Sequence, residues 1–136
     1  MIEINRVLEF DAGHRILGHE HLCRHPHGHR YKVVVTLRGQ LDELGRVADF
    51  GDIKTAIKKW LDATVDHAFI VYRKDKALID ALIKLEHSRV YILDENPTAE
   101  NLATHFLNRF RHLFPKWPIV AVTVHETPNC WATATI

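Results

Sequence analysis

The chain is poor in cysteine, and it lacks both a long apolar run and an excess of charge of either sign. Its two cysteines, Cys23 and Cys130, stand far apart and make a poor disulfide framework, so a reducing cytoplasm is expected. No apolar run approaches the roughly 18 residues typical of a membrane span, and the N-terminus lacks the apolar block of a secretion signal. The net charge of +1 excludes a broad basic field for nucleic acid or anionic lipid.

Alternating polar and apolar residues predict most of the strands. Residues 2–14 and 29–38 alternate in the way of half-buried strands, and residues 119–126 and 131–136 form two more extended runs. The length suits one domain, expected to span residues 1–136.

Helical spacing occupies the middle of the chain. Apolar residues three to four apart begin at Phe50, a shorter helix is expected over about 75–85, and Thr98 is predicted to cap a third helix. Residues 90–93 are a further, short candidate strand. The pattern predicts an α+β fold: a four-stranded antiparallel sheet with helices on one face, in the order ββααββ.

Histidine is the residue in excess, with 11 in the chain, six of them between His14 and His29. His27 and His29 are two residues apart and continue the inward series of Tyr31, whereas His14 ends the apolar face of the first strand. If the two strands form an antiparallel hairpin, the three imidazoles meet at one end of the sheet. Three neutral histidines with an open fourth position are typical of a catalytic zinc site.

Cys23 has two interpretations on spacing alone. It is either the fourth ligand of a structural zinc or a reactive thiol near the metal, and a loop residue without a role is the third alternative.

Two further groups carry candidate chemistry. Asp66 and His67 are a candidate proton-transfer pair, which adjacent residues can form only where the backbone turns. The alternative is a helix-end histidine beside a surface aspartate. Glu126, at the end of a strand, is placed to accept two hydrogen bonds from a guanidine-like ring edge, or is a solvated strand end.

Six short segments, in this order along nearly the whole chain, resemble the 6-pyruvoyl-tetrahydropterin synthase/6-carboxytetrahydropterin synthase family. They are FDAGH (10–14), CRHPHGHRY (23–31), GRVADFGDIK (45–54), DH (66–67), PTAEN (97–101) and HET (125–127). The resemblance implies the tunnelling fold, in which subunits join edge to edge into a trimeric barrel and two barrels stack into a hexamer. It therefore implies a homohexamer with active sites between subunits.

The resemblance also assigns roles to individual residues. It implies zinc ligands at His14, His27 and His29. Cys23 becomes the catalytic thiol, Asp66 and His67 complete a proton-transfer group, and Glu126 anchors the pterin ring edge. Other motif positions are interpreted as mainly structural: Asp49, Phe50, Pro97, Thr98, Glu100 and Asn101.

The gap of four residues between Cys23 and His27 is similar to that of the bacterial 6-carboxytetrahydropterin synthases of queuosine biosynthesis. This similarity implies a lyase acting on 7,8-dihydroneopterin triphosphate, with zinc as Lewis acid, to give 6-carboxy-5,6,7,8-tetrahydropterin, acetaldehyde and triphosphate. Arg15, Arg24 and Arg30 are candidates to meet the triphosphate. The alternatives are a pyruvoyl-forming synthase and a non-catalytic zinc- or pterin-binding protein.

Overall fold

The computed structural model describes residues 1–136 and contains six strands and three α-helices. In chain order they are β1 (Ile2–His14), β2 (His27–Gly39), α1 (Phe50–Thr64), β3 (Ala68–Tyr72), α2 (Lys76–Ile83), β4 (Val90–Leu93), α3 (Ala99–Leu113), β5 (Ile119–Thr127) and β6 (Cys130–Thr135). One sheet holds all the strands, in the order β4-β3-β1-β2-β5-β6.

The long β1–β2 hairpin is the centre of this sheet, and it forms as the alternation predicts. The two strands pair antiparallel from Ile2 opposite Gly39 to His14 opposite His27. Phe10 and Tyr31 are fully buried on its inward face and stack at 4.9 Å between ring centroids. Because side chains alternate across a strand, this register places the inward-facing side chains at the end of β1 and at the start of β2 close together, at one corner of the sheet.

The prediction of four strands in the order ββααββ is wrong. The sheet has six strands, because β3 and β4 extend it beyond β1, and both pair in parallel. The candidate strand at residues 90–93 is confirmed as β4. The missed strand β3 is the five-residue run AFIVY, which is apolar on both faces and too short to show alternation.

Helices α1 and α3 cover one face of the sheet, and their caps follow the sequence. Asp49 accepts a hydrogen bond from the Asp52 N–H at the start of α1, and Thr98 accepts one from the Asn101 N–H at the start of α3. Their apolar stripes join the inward faces of the central strands in one core of 21 buried residues. The predicted cap at Thr98 is therefore confirmed.

Helix α2 departs from the prediction that the helices share one face. Ile70 of β3 belongs to the main core, whereas its neighbours Phe69 and Val71 pack with Leu78 and Leu82 of α2 in a separate cluster. Neighbouring residues of a strand point to opposite faces, so α2 lies on the face opposite α1 and α3. None of the three helices is long and apolar enough to cross a membrane.

Candidate metal centre and active site

The hairpin register brings the three predicted histidines together. His14 lies opposite His27, and His29 lies opposite Ala12, two residues along the same face. One nitrogen from each of the three rings lies within 4.8 Å of the others, so the group can hold a metal ion. The convergence predicted from strand parity is confirmed as geometry.

Hydrogen bonds orient two of these rings. His14 Nδ1 lies 2.8 Å from the Pro97 carbonyl oxygen and 3.1 Å from the Tyr31 hydroxyl. His27 Nδ1 lies 2.6 Å from the His25 carbonyl oxygen. A carbonyl only accepts, so each Nδ1 carries the proton and each Nε2 keeps its lone pair.

The unprotonated Nε2 atoms of His14 and His27 face each other at a distance of 3.1 Å. Two lone pairs at this distance repel each other unless a cation lies between or beside them. The donor set therefore fits a metal held by imidazole nitrogens.

Burial keeps His14 and His29 neutral. Burial lowers the pKa of His14 to about 4; the Pro97 hydrogen bond opposes this shift, and His27 and His29 add to it. Burial also lowers the pKa of His29, against the attraction of Glu126. Neutral imidazoles are the form that binds metal, so protons compete weakly with a metal for His14 and His29 near neutral pH.

Glu126 lies beside the metal group, next to the irregular pairing between His125 and Thr127 near the end of β5. Its Oε1 is 3.3 Å from Nε2 of His29, and that nitrogen is buried without a hydrogen-bond partner. The contact is thus electrostatic proximity without hydrogen-bond geometry. An unpartnered buried ring nitrogen facing the site is a further feature that fits a metal ligand.

Cys23 lies in a one-turn 3₁₀ helix, Leu22–Arg24, between β1 and β2. Its thiol is free and half-buried, and its carbonyl accepts a hydrogen bond from the Ile16 N–H at 2.8 Å. The metal-binding group comprises the three histidines and does not include this thiol.

Asp66 and His67 interact as the predicted turn requires. His67 has a left-handed backbone with φ of 59°, and its Nδ1 lies 2.9 Å from Oδ2 of Asp66. The other carboxylate oxygen accepts the Asp11 N–H at 2.9 Å, and the His67 N–H donates to the Asp11 carbonyl at 2.7 Å. Burial, the largest influence, acts to raise the pKa of Asp66, but the hydrogen bonds from Asp11 and His67 together lower it. The carboxylate is therefore ionised and oriented toward an imidazole whose side chain is 77% exposed.

Two supporting contacts at the site were not predicted from the sequence, one made by Arg89 and one by Pro97. Arg89 donates from Nη1 to the carbonyl oxygens of Asp62, at 2.6 Å, and Asp66, at 3.1 Å, and so secures the end of α1 and the turn before His67. Pro97, interpreted as mainly structural, supplies the carbonyl that orients His14. The acceptors in both contacts are backbone carbonyls, which leave no residue-type signal in a sequence.

A cavity of about 650 Å³ joins parts of the site. His27, His29 and His67 all line it, so two histidines of the metal group border the same cavity as His67. His67 and His87, the two non-glycine residues with positive φ, both face it. Cys23 and Glu126 do not line this cavity.

The three arginines suggested for triphosphate differ in availability. Arg15 forms two hydrogen bonds to the buried carboxylate of Asp75, which commits its guanidinium to the fold. Arg30 lines the cavity but pairs with Glu9 and Asp11. Arg24 is exposed.

Comparison with known proteins gives a consistent result. The sequence profile of the 6-pyruvoyl tetrahydropterin synthase family matches residues 3–135. This chain belongs to that family. It is an enzyme, a lyase.

The chain is 44% identical over 135 residues to 6-carboxy-5,6,7,8-tetrahydropterin synthase of Rickettsia bellii, covering 96% of this chain and 98% of the relative. A structure of an uncharacterised protein from Wolinella succinogenes superposes with a TM-score of 0.84 at 25% identity, covering 98% and 97% of the two chains. The structure of Caenorhabditis elegans 6-pyruvoyl tetrahydropterin synthase superposes with a TM-score of 0.71 at 26% identity, covering 99% and 95%. The fold is thus that of this family's pterin synthases.

Proposed function

We propose that this chain is a zinc-dependent lyase that converts 7,8-dihydroneopterin triphosphate to 6-carboxy-5,6,7,8-tetrahydropterin, releasing acetaldehyde and triphosphate, in queuosine biosynthesis. The observation that carries the proposal is the histidine group with Nε2 lone pairs 3.1 Å apart, in a chain 44% identical over nearly its full length to a protein of that name. Three imidazoles with no thiolate or carboxylate suit zinc with an open position for substrate.

The proposed zinc ligands are His14, His27 and His29. Zinc bound there supplies Lewis acidity toward the substrate's side-chain oxygens. Its ligands are neutral and leave it the full positive charge, and the Pro97 carbonyl keeps the His14 ring turned toward it.

The chain's own groups are proposed to move the protons. Cys23 acts as the thiolate base, and His67, oriented by the ionised Asp66, exchanges protons through its exposed ring. Glu126 anchors the ring edge of the pterin, which places the substrate side chain next to the metal group because Glu126 is itself 3.3 Å from His29.

A homohexamer with active sites between subunits is part of this proposal. Cys23 and Glu126 lie outside the cavity that His67 lines. This separation within one chain supports an assembly in which one substrate contacts residues from more than one copy. The open edge of β6 offers unpaired backbone groups for such an assembly.

The second candidate is 6-pyruvoyl tetrahydropterin synthase activity on the same substrate. The similarity to the Caenorhabditis elegans structure of that name favours it, at the lower identity of 26%.

Incubation of the zinc-loaded protein with dihydroneopterin triphosphate, followed by mass analysis of the products, tests both candidates. We expect a carboxy-tetrahydropterin and acetaldehyde. A pyruvoyl product supports the second candidate, and unchanged substrate in the presence of zinc contradicts both. The Cys23→Ala variant is the matched control, expected to keep its zinc and lose product formation. Loss of zinc as complete as in His27→Ala would make Cys23 a ligand instead.

A further inference from the structure

Asn96 pairs its side chain with the backbone of a distant residue. The Leu17 N–H donates to Asn96 Oδ1 at 2.9 Å, and Asn96 Nδ2 donates to the Leu17 carbonyl at 3.1 Å. A side-chain amide that engages both backbone groups of one residue imitates the pairing of a neighbouring strand. The contact spans 79 positions of sequence and fixes Leu17 in two directions.

Asn96 is itself held firmly at the start of α3. Its carbonyl accepts hydrogen bonds from the Thr98 N–H at 2.8 Å and from Asn101 Nδ2 at 2.9 Å. The next residue, Pro97, supplies the carbonyl that orients His14. One short segment therefore supports a metal-group histidine through Pro97 and Leu17 through Asn96.

Leu17 lies in the connection between β1 and β2, residues 15–26, which we call the Cys23 loop. Within it the Ile16 N–H donates to the Cys23 carbonyl at 2.8 Å, so the residue next to Leu17 is bonded directly to Cys23. The path from the support at α3 to the thiol thus consists of Asn96, Leu17, Ile16 and Cys23.

Three side chains outside the Cys23 loop hydrogen-bond to it. Asp75 holds Arg15, and His27 approaches the carbonyl of His25, so both act near the ends of the loop. Asn96 alone acts inside the segment that the Ile16–Cys23 hydrogen bond encloses. Without Asn96, no side chain from outside the Cys23 loop would hydrogen-bond to the segment between Ile16 and Cys23.

We propose that Asn96 is a positioning residue that holds the Cys23 thiol at a fixed place relative to the metal group, acting through Leu17 and Ile16. The inference rests on the proposed function, in which Cys23 reacts beside the metal. Asn96 makes no contact with the substrate in this role, and its effect is on distance and orientation.

The test uses a Cys130→Ser background, because Cys130 is the other free thiol and is exposed. Asn96→Ala is compared with Asn5→Ala, which removes a single side-chain hydrogen bond, from Thr36, at the far end of β1. We expect Asn96→Ala to lower kcat by about 10-fold or more, with KM and zinc content unchanged, because misplacement of a reacting group acts on the chemical step. Asn5→Ala should keep the parent kcat.

A second measurement needs no substrate. Cys23 is alkylated with iodoacetamide, with zinc bound and after zinc is removed by a chelator. The positive charge of zinc alters thiol reactivity only at short range, so the parent rate should change with zinc. This zinc effect should vanish in Asn96→Ala and persist in Asn5→Ala.

Full kcat together with an intact zinc effect in Asn96→Ala would overturn the inference, as would loss of zinc from that variant, which would make Asn96 a support of the metal group. If Asn96→Ala does not fold, Asn96→Ser, with a short hydroxyl side chain, takes its place and is held to the same outcomes. A parent protein that forms no product contradicts the proposed function alone, since the alkylation comparison still decides whether Asn96 places Cys23.

Discussion

Two regions carry the proposed chemistry of this chain, and they are attached to the fold in different ways. The metal group lies at the end of the β1–β2 hairpin, which pairs continuously from Ile2 to His14. Asp66 and His67 precede β3, which pairs with β1 only from Ala12 to His14. We call residues 66–93, which contain β3, α2 and β4, the peripheral unit.

The peripheral unit is held by a few specific contacts, whereas the hairpin is held by a long series of backbone hydrogen bonds between its two strands. Arg15 reaches from the end of β1 to the buried Asp75, and Arg89 bonds back to the end of α1. The metal geometry therefore depends on strand register, whereas the position of the proton-transfer pair depends on individual side chains. Changes in the two regions should have separable effects.

Removing a ligand should have the largest effect. His27→Ala deletes an Nε2 that lies 3.1 Å from that of His14, so we expect loss of stoichiometric zinc, measured by elemental analysis, and no measurable product. His25→Ala is the matched control, because His25 contributes a backbone carbonyl that the substitution retains. Full zinc content in His27→Ala would refute the ligand assignment.

A change in the proton-transfer pair should spare the metal. His67→Asn suits the left-handed backbone at φ of 59° but removes the imidazole, so activity should fall by roughly 100- to 10,000-fold with zinc retained. His87→Asn, at the other left-handed histidine of the same cavity, is the control and should stay active. Equal activity losses in both variants would argue against a special role for His67.

A change that loosens the peripheral unit should lower the stability of the fold and leave metal binding largely intact. Asp75→Ala leaves Arg15 without its partner and removes the cap of α2, so the free energy of unfolding in urea should fall by about 3 kcal/mol. Asp80→Ala, at an exposed position of the same helix, should change it little. Zinc loss in Asp75→Ala would mean that the two regions are not independent.

The smallest expected effect is a change in the stability of the fold at acidic pH. The hydrogen bonds from Arg15 are the main cause of the lowered pKa of Asp75, which burial opposes. A carboxyl whose pKa is lower in the folded state stabilises the fold above its unfolded pKa of about 3.8, and this stabilisation is lost as the pH falls through the folded value. The stability advantage of the native protein over Asp75→Asn should hold steady above about pH 5 and shrink below pH 3.8 in urea titrations. A constant difference down to pH 2 would contradict this coupling.

The same contrast explains what the sequence could predict. Parity along two strands was enough to bring His14, His27 and His29 together, because register follows from the buried face. Thr98 was predictable as a cap because capping is local. Strand β3 was missed because five apolar residues show no period.

Other features depend on contacts that sequence patterns do not encode. The apolar stripe of α2 identifies a buried side of the helix but not the face of the sheet that it covers. The supports from Pro97, Arg89 and Asn96 connect residues far apart in the chain through backbone groups. Any residue type presents the same carbonyl, so these partners were invisible before the fold was known.

The hydrogen bond between His14 and the Pro97 carbonyl also bears on how the protein is made. During synthesis the ribosome adds all three imidazoles before Pro97, which follows His14 by 83 positions. A nascent hairpin that captures a metal early does so with the His14 ring unsupported. In the proposed metal centre, His14 therefore gains its orienting carbonyl only when the start of α3 has left the exit tunnel and docked.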